Sequence, residues 1–189
     1  VYIAKLGANG EPQLWHPTDT NKNNWVYWYA DTGLSGGTAK SYFSAVTNNN
    51  RMYILGGQTN ASPGGITTVE VADILPNGRL GAWSTTGMQT LPAGAGRQMA
   101  GAQIYNNVLY TLGGFEGAST SSANLRSSMY YSKINADGTM NPWRVTKSFV
   151  GARASYGGSF SYIWGAYIYL GGGCTAVNAS GYCTTIDSN

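Results

Sequence analysis

Val69-Glu-Val-Ala-Asp-Ile-Leu-Pro-Asn-Gly78, with a tryptophan at Trp83, is the stretch that decides the fold. An apolar run leads into Asn-Gly, which supplies the positive φ values that a tight hairpin turn needs. The tryptophan stands five positions beyond the turn glycine. The same arrangement occurs at Val1-Tyr-Ile-Ala-Lys-Leu-Gly-Ala-Asn-Gly10 with Trp15, and at Met129-Tyr-Tyr-Ser-Lys-Ile-Asn-Ala-Asp-Gly138 with Trp143. The turn glycines 10, 78 and 138 are 68 and 60 residues apart. A second pattern recurs out of phase with the first: Met52-Tyr-Ile-Leu-Gly-Gly57, Leu109-Tyr-Thr-Leu-Gly-Gly114 and Tyr167-Ile-Tyr-Leu-Gly-Gly-Gly173. The extra glycine leaves the register of the last copy open by one residue. Repeats of this length signal one supersecondary unit packed against copies of itself.

Each repeat reads as four short strands. Segments rich in small residues, about 41–47, 98–104 and 156–162, come first and suit strands crowded around a central axis. The Gly-Gly strand follows, then the Val-Tyr-Ile-Ala type strand, then the strand that holds the tryptophan. The third strand is apolar on both faces, as at Val69, Val71 and Ile74. Radially packed blades cover a sheet on both sides in this way, so Trp15, Trp83 and Trp143 read as packing between blades. The expected fold is all-β: a β-propeller segment of about three four-stranded blades, starting and ending mid-blade.

Composition agrees with this. The chain has 189 residues, 27 of them glycine, with 13% aromatic and 10% charged residues. So many aromatics with so little charge exclude disorder. No apolar run reaches the roughly 18 residues of a membrane span. The net charge of +3 comes from scattered residues, so no nucleic-acid or membrane-surface segment stands out. His16 is the sole histidine, which excludes a multi-histidine metal site within one chain.

The apolar run ending in Gly-Gly, followed by tyrosine and then tryptophan, resembles the Kelch repeat of β-propellers. Three copies cover nearly the whole chain. Tyr130 and Tyr131 lie 12 to 13 residues before Trp143, a wider spacing than the usual Kelch repeat. That places the resemblance nearer the divergent Kelch-like repeats of bacterial surface and filament-associated proteins. It implies a single propeller segment over 1–189, with repeat units of about 1–68, 69–128 and 129–189. Three blade-equivalents fall short of the about 4–8 that a propeller needs. The expectation is therefore part of a larger propeller, with further blades from the same longer chain or from other copies. A compact three-blade ring or an open array are the remaining arrangements.

The long connections (16–39, 58–67, 84–96, 115–127, 145–154 and 174–189) share one expected face, and binding residues concentrate on long loops over rigid scaffolds. Loop 16–39 is the longest and contains Trp25, Tyr27, Trp28 and Tyr29. Exposed aromatics offer flat apolar area to sugar rings or protein partners. The competing reading packs Trp25, Tyr27 and Tyr29 on one face of an extra strand. Lys40, Arg97 and Arg153 each stand near the head of an inner strand. They either form a cationic ring for a carboxylate or phosphate, or satisfy blade-edge carbonyls and acids. Lys5, Asp73 and Lys133 share one repeat position and read as a solvated site.

Cys174 and Cys183 are the only cysteines. A disulfide closing their loop implies an oxidising compartment; a zinc half-site and two free thiols are the alternatives. Asn60-Ala-Ser62 and Asn178-Ala-Ser180 match the glycosylation sequon. Catalytic groups are poorly supplied. Asp19, Asp31, Glu116 and Asp187 lie on long-loop segments without the spacing of a glycosidase pair. One histidine cannot build a galactose-oxidase-like copper centre, and the tryptophan spacing does not match sialidase Asp-boxes. The expected function is a non-catalytic, secreted or cell-surface binding or adhesion module, with pilus or filament association implied by the resemblance, a glycan or protein partner and no cofactor. The alternatives are a segment of a carbohydrate-active propeller enzyme and a purely structural filament subunit.

Overall fold

The N-terminal repeat forms β1 (Tyr2–Ile3), β2 (Lys5–Leu6), β3 (Pro12–Gln13) and β4 (Tyr29–Ala30). This is a computed structural model, and it describes residues 1–31, 33–34, 39–59, 64–117, 121–155, 161–178 and 182–186. β5 (Ser44–Asn48), β6 (Arg51–Leu55) and β7 (Val69–Asp73) form a three-stranded antiparallel sheet. β8 (Gly101–Tyr105), β9 (Val108–Leu112), β10 (Met129–Lys133) and β11 (Arg144–Thr146) form a four-stranded one. Two hairpins follow: β12 (Ser161–Trp164) with β13 (Tyr167–Leu170), and β14 (Cys174–Val177) with β15 (Cys183–Ile186). Among the described residues the only helical elements are single 3-10 turns at Lys22–Asn24 and Ser122–Asn124.

The fold is all-β, built of several small antiparallel sheets. The expected strand order holds in the β8–β11 sheet, and the β5–β7 sheet keeps a fourth strand only as the bridge from Val71 to Ser84. Register repeats between the two: Tyr53 lies opposite Val71, and Tyr110 opposite Tyr131. No closed sheet forms among the described residues, and no pairing joins β12–β13 to the N-terminal strands.

The inner strands begin later than expected. Tyr42 (φ 58°) and Met99 (φ 54°) are left-handed, which breaks the strand before β5 and β8. Ser41 and Gln98, just upstream, keep isolated bridges to Gln58 and Phe115. The segment expected at 156–162 is described only from Ser161 onward. β5 lies beside β8, and β8 beside β12, so the inner strands of successive sheets are neighbours. Backbone bonds tie them: Met99 N–H donates to the Tyr42 carbonyl and Ser155 N–H to the Met99 carbonyl, both at 2.8 Å.

Alternation along β6 sends its residues to two separate cores. Tyr53 and Leu55 pack with Val69 against Leu109, Ile134 and Met140 of the following sheet. Ile54 packs with Ala72, Leu80 and Trp83 against Ile3 and Leu34 of the preceding strands. Both faces are buried, as the apolar run requires.

The Gly-Gly pairs make the joints between sheets. The Gly57 and Gly114 N–H groups donate to the carbonyls of Arg97 (2.7 Å) and Arg153 (2.8 Å) in the next repeat. A β-carbon on Gly56 would lie 2.2 Å from the Arg97 carbonyl oxygen. In the last copy Gly172 and Gly173 adopt the positive φ of this pair, which settles its register. Gly171 therefore stands where Leu55 and Leu112 stand in the earlier copies.

Candidate functional site

The longest connection is an excursion from an outer strand. In the later repeats the residue just past the tryptophan pairs with the third strand: Ser84 with Val71, and Arg144 with Tyr131. In the first repeat the equivalent Ile3 pairs instead with Tyr29, while Trp15 bridges to Val26. Residues 16–28 are looped out between Trp15 and the resumption of the strand at β4.

Strict alternation does not govern the four aromatics here. Tyr29 is half-buried, its ring 6.0 Å from Trp15 and edge-on to His16 at 4.8 Å. The Arg79 guanidinium lies 5.6 Å over the same ring. Trp25 is also half-buried; its Nε1–H donates to the Asp19 carbonyl at 2.9 Å, and Lys22 lies over its ring. The chain then bends at residues 27 and 28. Tyr27 (53% exposed) and Trp28 (60%) project into solvent side by side in sequence.

The excursion is held by its own polar side chains. His16 Nδ1 accepts from Asp19 N–H at 2.8 Å. The Asp19 carboxylate accepts from Asn21 N–H (2.8 Å) and from the Asn24 amide (2.7 Å). Asn21 Oδ1 in turn accepts from Asn23 N–H, capping the 3-10 turn. The bond from the Asn24 side chain, then that from the Asn21 backbone, hold the Asp19 carboxyl below its ordinary value of 3.8. His16 and Asp19 thus position the aromatic corner. Asp-x-Asn-x-Asn, with residues that favour side-chain-to-backbone turns, is the sequence signal for this.

The three cations are engaged within the array. Lys40 reaches Thr68 Oγ1 (3.3 Å) and forms an ion pair with Glu70, both side chains buried. Arg97, at the same repeat position, donates to Ser128 Oγ (2.8 Å) and lies 5.5 Å over the Tyr130 ring. Thr68 matches Ser128 and Glu70 matches Tyr130, because β7 and β10 share one register. One geometry is therefore satisfied twice, by an ion pair and by a cation–π contact. Arg153 donates to the carbonyls of Val150, Gly151 and Gly172 and lies over Phe149. Burial pushes the Lys40 ammonium below its ordinary pKa. It also pushes the Arg97 guanidinium down, against the opposing pull of Glu116 at 3.5 Å.

The acids on long loops have structural partners too. Asp31 accepts from Arg79 Nη2 (3.0 Å) and from Leu80 N–H (2.6 Å), clamping the first repeat to the next turn. Glu116 pairs with Arg126. Asp187, Asn60-Ala-Ser62 and part of Asn178-Ala-Ser180 fall outside the described residues. Among the described residues no group of histidine, cysteine and acid side chains is placed to hold a metal. Lys5, Asp73 and Lys133 are exposed. Cys174 and Cys183 form a disulfide across the β14–β15 hairpin. No helix among the described residues is long and apolar enough to cross a membrane.

No protein-family model and no curated protein matches this chain. The Kelch resemblance rests on the repeat residues themselves.

Proposed function

We propose that this chain is a non-catalytic recognition module of an oxidising, extracellular compartment, and that it binds a glycan at the Tyr27–Trp28 corner. The observation that carries the reading is the looped-out segment 16–28. It interrupts the outer strand of the first repeat and presents two large aromatics to solvent from a hydrogen-bonded base. An exposed aromatic pair suits the apolar face of a sugar ring. The disulfide supports the compartment.

The propeller-like arrangement is part of the same reading. Neighbouring inner strands and Gly-Gly joints that recur from repeat to repeat support a radial stack. A rigid stack of this kind would display the corner without moving it.

Tyr27→Ala and Trp28→Ala, tested on a glycan array, check the proposal. Loss of an aromatic platform is expected to weaken binding by about tenfold or more, the equivalent of roughly 1.4 kcal/mol, with the melting temperature unchanged. Unchanged array signals in the folded double variant would defeat it and favour a purely structural subunit.

A further inference from the structure

We propose that His16 is an acid-sensitive latch on the aromatic corner: its neutral imidazole holds residues 16–28 in place, and proton uptake opens them. The inference deepens the glycan reading, on which it rests only for what the corner carries.

His16 stands at the branch point of the chain. It is the residue just past the tryptophan, the position of Ser84 and Arg144 in the later repeats. Those two stay in the outer strand, paired with Val71 and Tyr131. At His16 the chain leaves that strand, which resumes at Tyr29. Ser84 also holds the chain just after it, its Oγ accepting from Thr86 N–H at 3.0 Å. His16 fills the same role with a ring nitrogen. Its Nδ1 accepts from Thr18 N–H, two residues on, at 3.3 Å and from Asp19 N–H at 2.8 Å. A serine oxygen keeps its lone pairs at every physiological pH, whereas an imidazole nitrogen gives up its lone pair on protonation. The first repeat therefore carries a titratable acceptor where the second carries one that does not titrate.

Both backbone partners are donors, so Nδ1 is the bare nitrogen and the ring proton sits on Nε2. A second proton would go to Nδ1 and set an N–H against two N–H groups. Turning the ring restores nothing, because the charged imidazole has no acceptor left. The loss passes along the chain through Asp19. Its carbonyl receives Trp25 Nε1–H, and its carboxylate gathers Asn21 N–H and the Asn24 amide. Trp25 is the anchor two residues before Tyr27. The edge-on contact of His16 with Tyr29 ties the same ring to the point where the strand resumes. The latch thus stabilises the corner while the imidazole is neutral and is lost as pH falls.

The charged groups around the ring do not replace the lost acceptor. On its own segment, the Asp19 carboxylate attracts the charged ring, and Lys22 lies over Trp25. From β4, Tyr29 brings its phenol, with the Arg79 guanidinium over that ring and Asp31 paired to Arg79. From β2, Lys5 lines the same cavity as His16, together with the uncharged turn residues Pro76, Asn77 and Gly78. Attraction to Asp19 favours arrival of the proton, and Lys5 and Arg79 oppose it. Neither effect gives Asp19 N–H a new partner.

Nuclear magnetic resonance of the unliganded protein between about pH 7.5 and 5.5, where an imidazole charges, is the test. The Asp19 amide proton should move upfield in step with the His16 ring carbons, with one shared midpoint. In His16→Asn, whose Oδ1 replaces the acceptor without titrating, that amide should hold its position. His16→Ser, the residue of the second repeat, should do the same. On a glycan array the signal of the unmodified protein should fall about tenfold over this range, the scale of a lost hydrogen bond, while the variants keep theirs. An Asp19 amide that stays put while His16 titrates, or one that moves equally in the unmodified protein and both variants, would overturn the latch. An array signal equal at both pH values would overturn its control of binding. An array silent at both would defeat the glycan reading instead, and the Asp19 amide, which needs no glycan, would still decide the latch.

Discussion

At the residue scale, the most informative pair is Lys40 and Glu70. Both side chains are buried and each is the other's charge partner. Removing one partner leaves an uncompensated charge, so Glu70→Ala is expected to cost about 3 kcal/mol in denaturant unfolding. The second repeat shows how the same position is filled by Arg97 and Tyr130. Lys40→Arg combined with Glu70→Tyr should therefore recover most of that loss; a double variant no better than Glu70→Ala would contradict the repeat equivalence. Asp19 gives the pH dependence. Its folded-state pKa is depressed, so its bonds stabilise the corner above the ordinary carboxyl value and are lost as pH falls below about 4. The Trp25 indole N–H resonance should shift in that acid range. Asp19→Asn should weaken the dependence.

At the element scale, the Gly-Gly strand ends and the hairpin turns were legible in the residues, but not that the pairs join successive sheets, where φ is positive and another backbone comes close. Gly113 is such a place: its φ is 60°, and a β-carbon would lie 2.5 Å from the Arg153 carbonyl oxygen. Gly113→Ala should destabilise by at least about 2 kcal/mol in thermal or chemical melts; a neutral outcome would contradict the joint. The β14–β15 hairpin depends on its disulfide in another way. Cys174 and Cys183 are nine residues apart, and closing so short a loop stabilises by about 2–3 kcal/mol. Reduction is expected to speed amide exchange in residues 174–186 while leaving β6 and β9 protected. Less was legible where side chains replace a repeat rule. The left-handed Tyr42 and Met99 shorten the inner strands without any glycine to announce them. The bend at 27–28 overrides the alternation that would have packed Tyr27 with Trp25 and Tyr29.

At the scale of the whole molecule, the β5–β7 sheet buries one face against the first repeat and the other against the β8–β11 sheet. The periodicity showed that stacking, together with two-sided burial of the third strand. It did not show which surfaces are left over, because Lys40, Arg97 and Arg153 could be read either as ligand groups or as partners of blade-edge carbonyls and acids; the contacts within the array are of the second kind. Among the described residues, the aromatic corner on the outer strand of the first repeat remains exposed. The most direct measurement is a titration of the protein with oligosaccharides that score on the array, followed by the Trp28 indole resonance. The account predicts a saturable shift of Trp28, with the Trp83 indole unmoved, that disappears in Tyr27→Ala. A Trp28 resonance unmoved by every oligosaccharide that the protein binds would contradict it.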